Sequence, residues 1–332
     1  MENPMQALVL TTFAAHMSIE HLPVPQPGPG QVLVRIAASG VNPLDTKIAS
    51  GAAPHARPSL PAILGIDLAG TVAAVGEGVK TFHVGATVYG MAGGIAGIQG
   101  SLAEYGVFDA ALLAPMPQGL SMREAAALPL VFITAWEGLV ERAHVKADDS
   151  VLVHGGAGGV GHMAVQLAVA LGAKVSATGS AASRAAIEAL GARFIDYRTS
   201  TVDDYVAEHT GGAGFDIVYD TVGGVTLDAS FKAARMYGGH VVSCLGWGTF
   251  ALSPLTARAA TYSGVFTLLP LLSGEHHARH GAILREANKL IEAGKLRVRL
   301  DPRRFSLRTA HEAHVAQMDG SARGKLVVDV AD

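Results

Sequence analysis

At 332 residues the chain is long enough for one large domain or two ordinary ones. Charged residues make up only 16% and the formal net charge is −3, so there is no basic tail or stripe of the kind that holds a polyanion. The single cysteine, Cys244, excludes an internal disulfide and a cysteine-held metal.

The first third reads as β-structure. Ala7–Leu10, Gln31–Ala37 and Gly70–Val75 are short β-type runs cut by glycine and proline, and Pro23–Gly30 is a proline-glycine loop between two of them. The opening Met1-Glu2-Asn3-Pro4-Met5 lacks a basic segment followed by an apolar one. The longest apolar stretches, Ala125–Trp136 and Gly264–Leu272, are too short to span a bilayer and contain prolines. The expectation is a soluble cytoplasmic protein with no membrane partner.

From about Ser121 strands alternate with helices: Val151–His154 and a helix from Gly161, Lys174–Thr178 and a helix from Ser183, Phe194–Asp196, Phe215–Tyr219 and a helix from Thr226, then Gly239–Leu245. This alternation predicts an α/β doubly wound parallel sheet. Ser263–Thr267 reads as its last strand, and Cys244 as a small buried residue of the preceding one. Helices over Gly281–Ala293 and Thr309–Met318 follow, and a final strand, Lys325–Val330, returns to the β module. Boundaries near residues 122 and 270 divide the chain into 1–122 with 270–332, and 123–269.

The most informative motif is Gly156-Ala157-Gly158-Gly159-Val160-Gly161, directly after the apolar run Val151-Leu152-Val153 and opening a helical pattern. Strand, glycine turn and helix are the order a dinucleotide needs. Gly156 makes the tight turn, Gly158 lets backbone approach a pyrophosphate, and Gly161 lets the helix pack on the strand. The helix N-terminus then faces the phosphates. The second strand ends Ser176-Ala177-Thr178-Gly179-Ser180 with no acidic residue to meet a ribose 2′-hydroxyl. Ser180, and Arg184 one turn on, would accept a 2′-phosphate, which favours NADPH over NADH. The competing reading makes Ser180 or Ser183 a helix cap and Arg184 a surface residue.

Three stretches in order, Gly40–Asp45, Pro61–Gly76 and the glycine turn, resemble the medium-chain dehydrogenase/reductase superfamily, and within it the zinc-free quinone oxidoreductase branch that includes zeta-crystallin. The resemblance implies a GroES-like β-rich catalytic domain built from both ends of the chain, a Rossmann domain inserted in it, and an active site in the cleft between. It also implies a homodimer joined through the Rossmann edge strands. For the cofactor site it implies Tyr197 beside the adenosine 2′-phosphate and Arg184 on it, Leu245, Gly246 and Phe266 at the carboxamide, and, on a looser match, Arg323. Asn42 near the nicotinamide ribose and Thr134 in the cleft are the best hydrogen-bond donors, and so the candidate catalytic residues.

Zinc-dependent relatives place a ligand cysteine where this chain has Asn42 and a ligand histidine where it has Ile66, and the four-cysteine structural lobe is replaced by Gly90–Gly97 without cysteine. Isoleucine cannot ligate zinc, so no metal is expected. The histidine groups His276, His277 and His280, and His311 and His314, read as solvated side chains. Without a Lewis acid the chemistry favours acceptors that delocalise the arriving charge, quinones or α,β-unsaturated carbonyls. Asp67 and Asp45 read as structural. The segment Gly51–Pro58 shows no match to the active-site tyrosine of typical quinone reductases. Three readings stay open: an NADPH-dependent quinone reductase, an enone or alkenal double-bond reductase, and a non-catalytic NADPH- or RNA-binding crystallin-like protein. Charge and the lack of a basic aromatic stripe argue against nucleic acid.

Overall fold

In the computed structural model, which describes residues 4–331, the apolar runs of the first third form eight strands: β1 Met5–Leu10, β2 Ser18–Leu22, β3 Gln31–Gly40, β4 Ala62–Ile63, β5 Asp67–Val75, β6 Thr87–Met91, β7 Tyr105–Asp109 and β8 Leu113–Pro115. They make two antiparallel sheets, one ordered β2-β1-β4 and the other centred on β3, which pairs with β5 and β7. Met5, Ala7, Val9 and Ala103 are buried together at the first sheet. Gly70 is needed where β5 crosses β3, because a Cβ there would lie 2.3 Å from the carbonyl oxygen of Arg35. Helix α1, Pro43–Ala49, leaves the end of β3 behind Asn42, whose backbone N–H is held by the Asp45 carboxylate at 2.8 Å.

Helix α2, Met122–Ala126, starts at the Ser121/Glu124 capping box, and α3, Pro129–Trp136, follows. The second half is built on parallel strands whose apolar, β-branched runs suit burial on both faces. They are β9 Ser150–His154, β10 Lys174–Gly179, β11 Arg193–Asp196, β12 Ile217–Asp220, β13 His240–Ser243 and β14 Thr261–Gly264. Among the described residues they form a six-stranded sheet ordered β11-β10-β9-β12-β13-β14, the doubly wound arrangement with two halves diverging from β9 and β12. Helix α4, Gly159–Ala170, follows β9. Leu152, Val218, Val241, Phe215 and Phe231 lie in the core under this sheet.

The chain then returns to the first sheet. Strand β16, Val327–Asp329, pairs antiparallel with β3, and β15, Phe305–Ser306, pairs parallel with β16. The fold is thus a GroES-like β module plus a Rossmann-type parallel sheet. Two units result: one ends at Leu130 and resumes at Leu268, the other is Val131–Thr267. Helix α2 belongs to the first because Arg123 donates to Asp329 at 2.6 Å and to the carbonyl of Arg303 at 3.1 Å.

Several local expectations are corrected. The last parallel strand is Thr261–Gly264, not Ser263–Thr267, because its partner β13 ends at Ser243, which pairs with Gly264. It is the sheet edge. The helix placed over Gly281–Ala293 begins earlier, at His277. Cys244 lies one residue past β13 and is half-buried. The helix Val202–Thr210, absent from the sequence reading, is announced by the Thr201/Asp204 capping box. The histidines are not uniformly solvated. His277 bonds the Asp109 carboxylate at 2.7 Å, His280 is fully buried, and burial pushes His314 down to about 4.

Candidate active site

The C-terminal ends of the parallel strands gather most of the residues singled out from the sequence. After β9 the chain turns at Gly155–Gly158 into α4. The left-handed residue of this turn is Gly155 (φ 73°), not Gly156. Gly156 is required for a different reason: a Cβ there would come 2.6 Å from the Cβ of Ala177 on β10. At Gly161 a Cβ would lie 2.1 Å from the carbonyl oxygen of Gly155, so only glycine lets α4 start this close to the strand. Ala157, Gly158 and Gly159 are exposed, and the N-cap, Gly158, offers no side chain to the first-turn N–H groups of α4. Val160 follows, half-buried. An open turn backed by an uncapped helix N-terminus fits a phosphate group, so the residues present suit a dinucleotide.

The turn is braced from beneath. Thr178 Oγ1 accepts from the N–H of Gly155 at 3.1 Å and lies 3.2 Å from His154 Nδ1, while the Thr178 carbonyl accepts from Gly156 N–H at 2.9 Å. Burial pushes His154 down to about 4, so its imidazole is neutral near pH 7. Nothing in the glycine motif revealed this brace, because Thr178 and His154 belong to strand ends.

Past β10, Ser180 precedes a 3₁₀ turn but makes no side-chain capping bond, and its carbonyl accepts from Ser183 Oγ at 2.7 Å. Arg184 is exposed, with its guanidinium 4.3 Å from the centre of the Phe194 ring and 3.3 Å from Glu188 Oε1. Past β11, Tyr197 is 55% exposed and carries the Arg198 guanidinium 5.7 Å from its ring centre. Past β13 come Leu245, whose N–H donates to Ser243 Oγ at 3.0 Å, and Gly246. Past β14 comes Phe266, edge-to-face with Trp247 at 5.8 Å. Thr134 is buried on α3, and its carbonyl accepts from the Tyr219 hydroxyl at 2.6 Å where the helix widens into a π-turn, Glu137–Arg142.

Asn42 and Arg323 belong to the other unit. Arg323 is exposed, and its N–H donates to Asp301 Oδ2 at 2.8 Å. Asn42 is fully buried in a charged cluster. Its Nδ2 donates to Asp67 Oδ2 at 2.9 Å and its Oδ1 accepts from Lys325 Nζ at 2.6 Å. Lys325 also donates to the carbonyl of Val41 at 2.9 Å, and Asp67 Oδ1 accepts from the N–H of Leu130 at 3.0 Å. Burial raises Asp45 to about 7 and Asp67 to about 6, against the pull of the Lys325 ammonium, whose own value burial lowers. Oδ1 of Asp45 is buried without a hydrogen-bond partner. Sequence reasoning missed Lys325. The available signal was a lysine opening an apolar run, Lys325-Leu326-Val327-Val328.

The comparisons agree with this architecture. Residues 28–118 match the alcohol dehydrogenase GroES-like domain and residues 190–328 match the zinc-binding dehydrogenase family. The crystal structure of an alcohol dehydrogenase superfamily protein from Novosphingobium aromaticivorans is 53% identical, with TM-score 0.97 over 98% of this chain and 100% of that one. The 2-methylene-furan-3-one reductase of Solanum lycopersicum is 36% identical over 92% of this chain and 73% of its own length. The chloroplastic quinone-oxidoreductase QR1 of Triphysaria versicolor is 32% identical over 95% of this chain and 94% of its own. The chain spans only 13% of the length of another similar protein, the spectinabilin polyketide synthase system protein NorB of Streptomyces orinoci. The chain belongs to the medium-chain dehydrogenase/reductase superfamily. It is an oxidoreductase of that type, and the family implies a nicotinamide cofactor.

One family name invokes zinc, and the residues do not fit it. At the two positions where zinc relatives carry ligands stand Asn42 and Ile66. The Asn42 oxygen is already taken by an ammonium, and the Ile66 side chain has no donor atom. Among the described residues no group of three or more His, Cys, Asp or Glu side chains is arranged to hold a metal. No helix among them is long and apolar enough to cross a membrane.

Two measurements check this geometry. Gly161→Ala should lose roughly 1–3 kcal/mol of stability through the backbone clash, whereas Gly158→Ala, whose Cβ would meet only Gly155 O at 3.2 Å, should unfold close to the wild-type temperature. Equal melting temperatures for the two variants would contradict the close approach of α4. For Asp45 the folded value, about 7, lies above the ordinary 3.8. The native state therefore holds the extra proton between those values, and the stability it lends is full below about pH 4 and lost as pH rises towards 7. Urea unfolding of Asp45→Asn should show the variant gaining on wild type by a few kcal/mol across that window, at about 1.4 kcal/mol per unit. A difference that does not change with pH would contradict the uptake of a proton by the buried Asp45 carboxyl on folding.

Proposed function

We propose that this protein is an NADPH-dependent, zinc-independent reductase of quinones. The observation that carries this reading is an uncapped glycine turn together with Asn42, standing where a metal-dependent relative would need a ligand, whose side-chain oxygen is taken by the buried Lys325 ammonium. When bound, the nicotinamide cofactor supplies a hydride or electrons to the acceptor. The chain supplies binding and orientation. Gly156, Ala157, Gly158, Gly159, Val160 and Gly161 would take the pyrophosphate, and Ser180, Arg184 and Tyr197 the 2′-phosphate end. Leu245, Gly246 and Phe266 would hold the carboxamide end, and Arg323 would reach the cofactor.

The nucleotide preference follows from charge. No carboxylate directly follows β10, and Arg184 is exposed there with Glu188 as a surface partner. A phosphate dianion would displace that weak surface pair. Asn42 and Thr134 are the proposed donors to the acceptor. With no Lewis acid, their hydrogen bonds favour a product whose charge is already delocalised. Hydroquinone anions and enolates satisfy this, and water can supply the final proton.

An enone or alkenal double-bond reductase is the second reading, favoured by the likeness to a 2-methylene-furan-3-one reductase. A homodimer through the exposed edge strand β14 is proposed on the same family grounds. Turnover of NADPH and NADH with a quinone panel beside an enone panel separates these readings. The expected result is NADPH-specific quinone reduction, with Arg184→Ala weakening NADPH binding at least tenfold and NADH binding little. Turnover of enones alone would move the assignment to the second reading. Equal loss for both nucleotides would remove Arg184 from the phosphate site.

A further inference from the structure

The cluster at the start of α1 contains a residue that the proposed chemistry does not use. Lys325 enters the interior at the head of the returning chain, held in place by backbone bonds on both sides. Its N–H donates to Arg299 O at 2.8 Å, and its carbonyl accepts from Asp301 N–H at 2.9 Å. The next residue, Leu326, accepts from Val41 N–H at 2.9 Å, which fixes the returning chain beside Asn42. The ammonium then reaches Val41 O and Asn42 Oδ1.

An amide side chain has one carbonyl and two N–H donors, and its two ends are interchangeable by a half-turn. Here the half-turn is forbidden. It would place an NH₂ 2.6 Å from an ammonium and a carbonyl oxygen 2.9 Å from a carboxylate, two like-polarity contacts in a buried site. Lys325 and Asp67 together therefore select one orientation. Lys325 occupies the carbonyl, Asp67 takes one N–H, and the second N–H is the capacity the amide has left.

We propose that Lys325 is the positioning residue that fixes the buried Asn42 amide in its single working orientation, so that its remaining N–H is the one donor it can offer to the bound cofactor or acceptor. This rests on the reading of Asn42 as a donor in the reaction. A purely structural alternative is that Lys325 only balances the charge of Asp67 and Asp45.

A charge-matched pair of variants distinguishes the two roles. Lys325→Met alone removes the ammonium and leaves buried carboxylates uncompensated, so a loss of stability is expected under either role. Lys325→Met combined with Asp67→Asn removes both charges at similar volume and should restore much of the melting temperature. If Lys325 positions Asn42, the double variant still loses roughly ten- to a hundredfold in kcat or in NADPH affinity, the scale of a lost charge-assisted hydrogen bond. Lys325→Arg, which keeps a cation, should recover part of it.

A second readout needs no turnover. In protein labelled with ¹⁵N-asparagine, the Asn42 side-chain NH₂ should give one sharp pair of signals in the wild type and an exchange-broadened or doubled pair in the double variant. A double variant that regains stability together with wild-type kcat, affinity and sharp amide signals would overturn the proposal. Asn42→Ala run in parallel tests the underlying reading. If it leaves binding and turnover intact, the role of Asn42 is wrong. If it impairs them while the double variant does not, only the role of Lys325 is wrong.

Discussion

The ammonium of Lys325, buried between Asn42, Asp67 and Asp45, is the interaction on which the β module depends. A lysine is rarely buried, and it is tolerated here because two carboxylates and two oxygens of the β3–α1 junction face it. That demand fixes three separate parts of the sequence at one point. The end of β3 must present Val41 and Asn42. The start of β5 must present Asp67. The last segment of the chain must come back beside them, which it does as β16 pairs with β3. Removing any one of them strands a charge in the interior, so the junction behaves as a lock between the two ends of the chain.

The same cluster bears on the chemistry. A site that must bind a divalent metal needs several free electron pairs converging on one point. Here the Asn42 oxygen is committed to a cation, Asp67 is committed to Asn42 and to a backbone N–H, and Ile66 brings only hydrocarbon. What such a site can offer a reacting molecule is a fixed hydrogen bond, which is worth less than a Lewis acid. The parallel sheet carries the glycine turn. That turn is packed against β10 and braced by Thr178, which fixes its backbone in one conformation.

How much of this was legible in the sequence follows from how local each signal is. The β-rich first third, the strand-helix alternation and the glycine turn are set by neighbours in the chain, and they were read correctly. The left-handed glycine was placed one residue late, because Gly155 and Gly156 are equivalent in the sequence and only contact with Ala177 distinguishes them. The end of β14 was misplaced because strand length there is set by its partner, β13. Solvated side chains are expected at His277 and His280, yet tertiary packing half-buries the first against Asp109 and fully buries the second, which no local pattern records. For Lys325 the local signal, a lysine opening an apolar run, does not name its partners, which lie 284 and 283 residues away along the chain.

The central proposal is that the chain reduces its acceptor without a metal because Asn42, held by the Lys325 ammonium, stands where a zinc ligand would be needed, and it is tested most directly by steady-state kinetics on exhaustively chelated protein. Rates are to be measured with NADPH and a quinone, and with a simple alcohol–ketone pair, before and after zinc is added back. The account predicts that chelation leaves quinone reduction unchanged, that added zinc has no effect, and that the alcohol–ketone pair is not turned over. Loss of quinone reduction on chelation with recovery on adding zinc, or zinc-dependent alcohol oxidation, would contradict it.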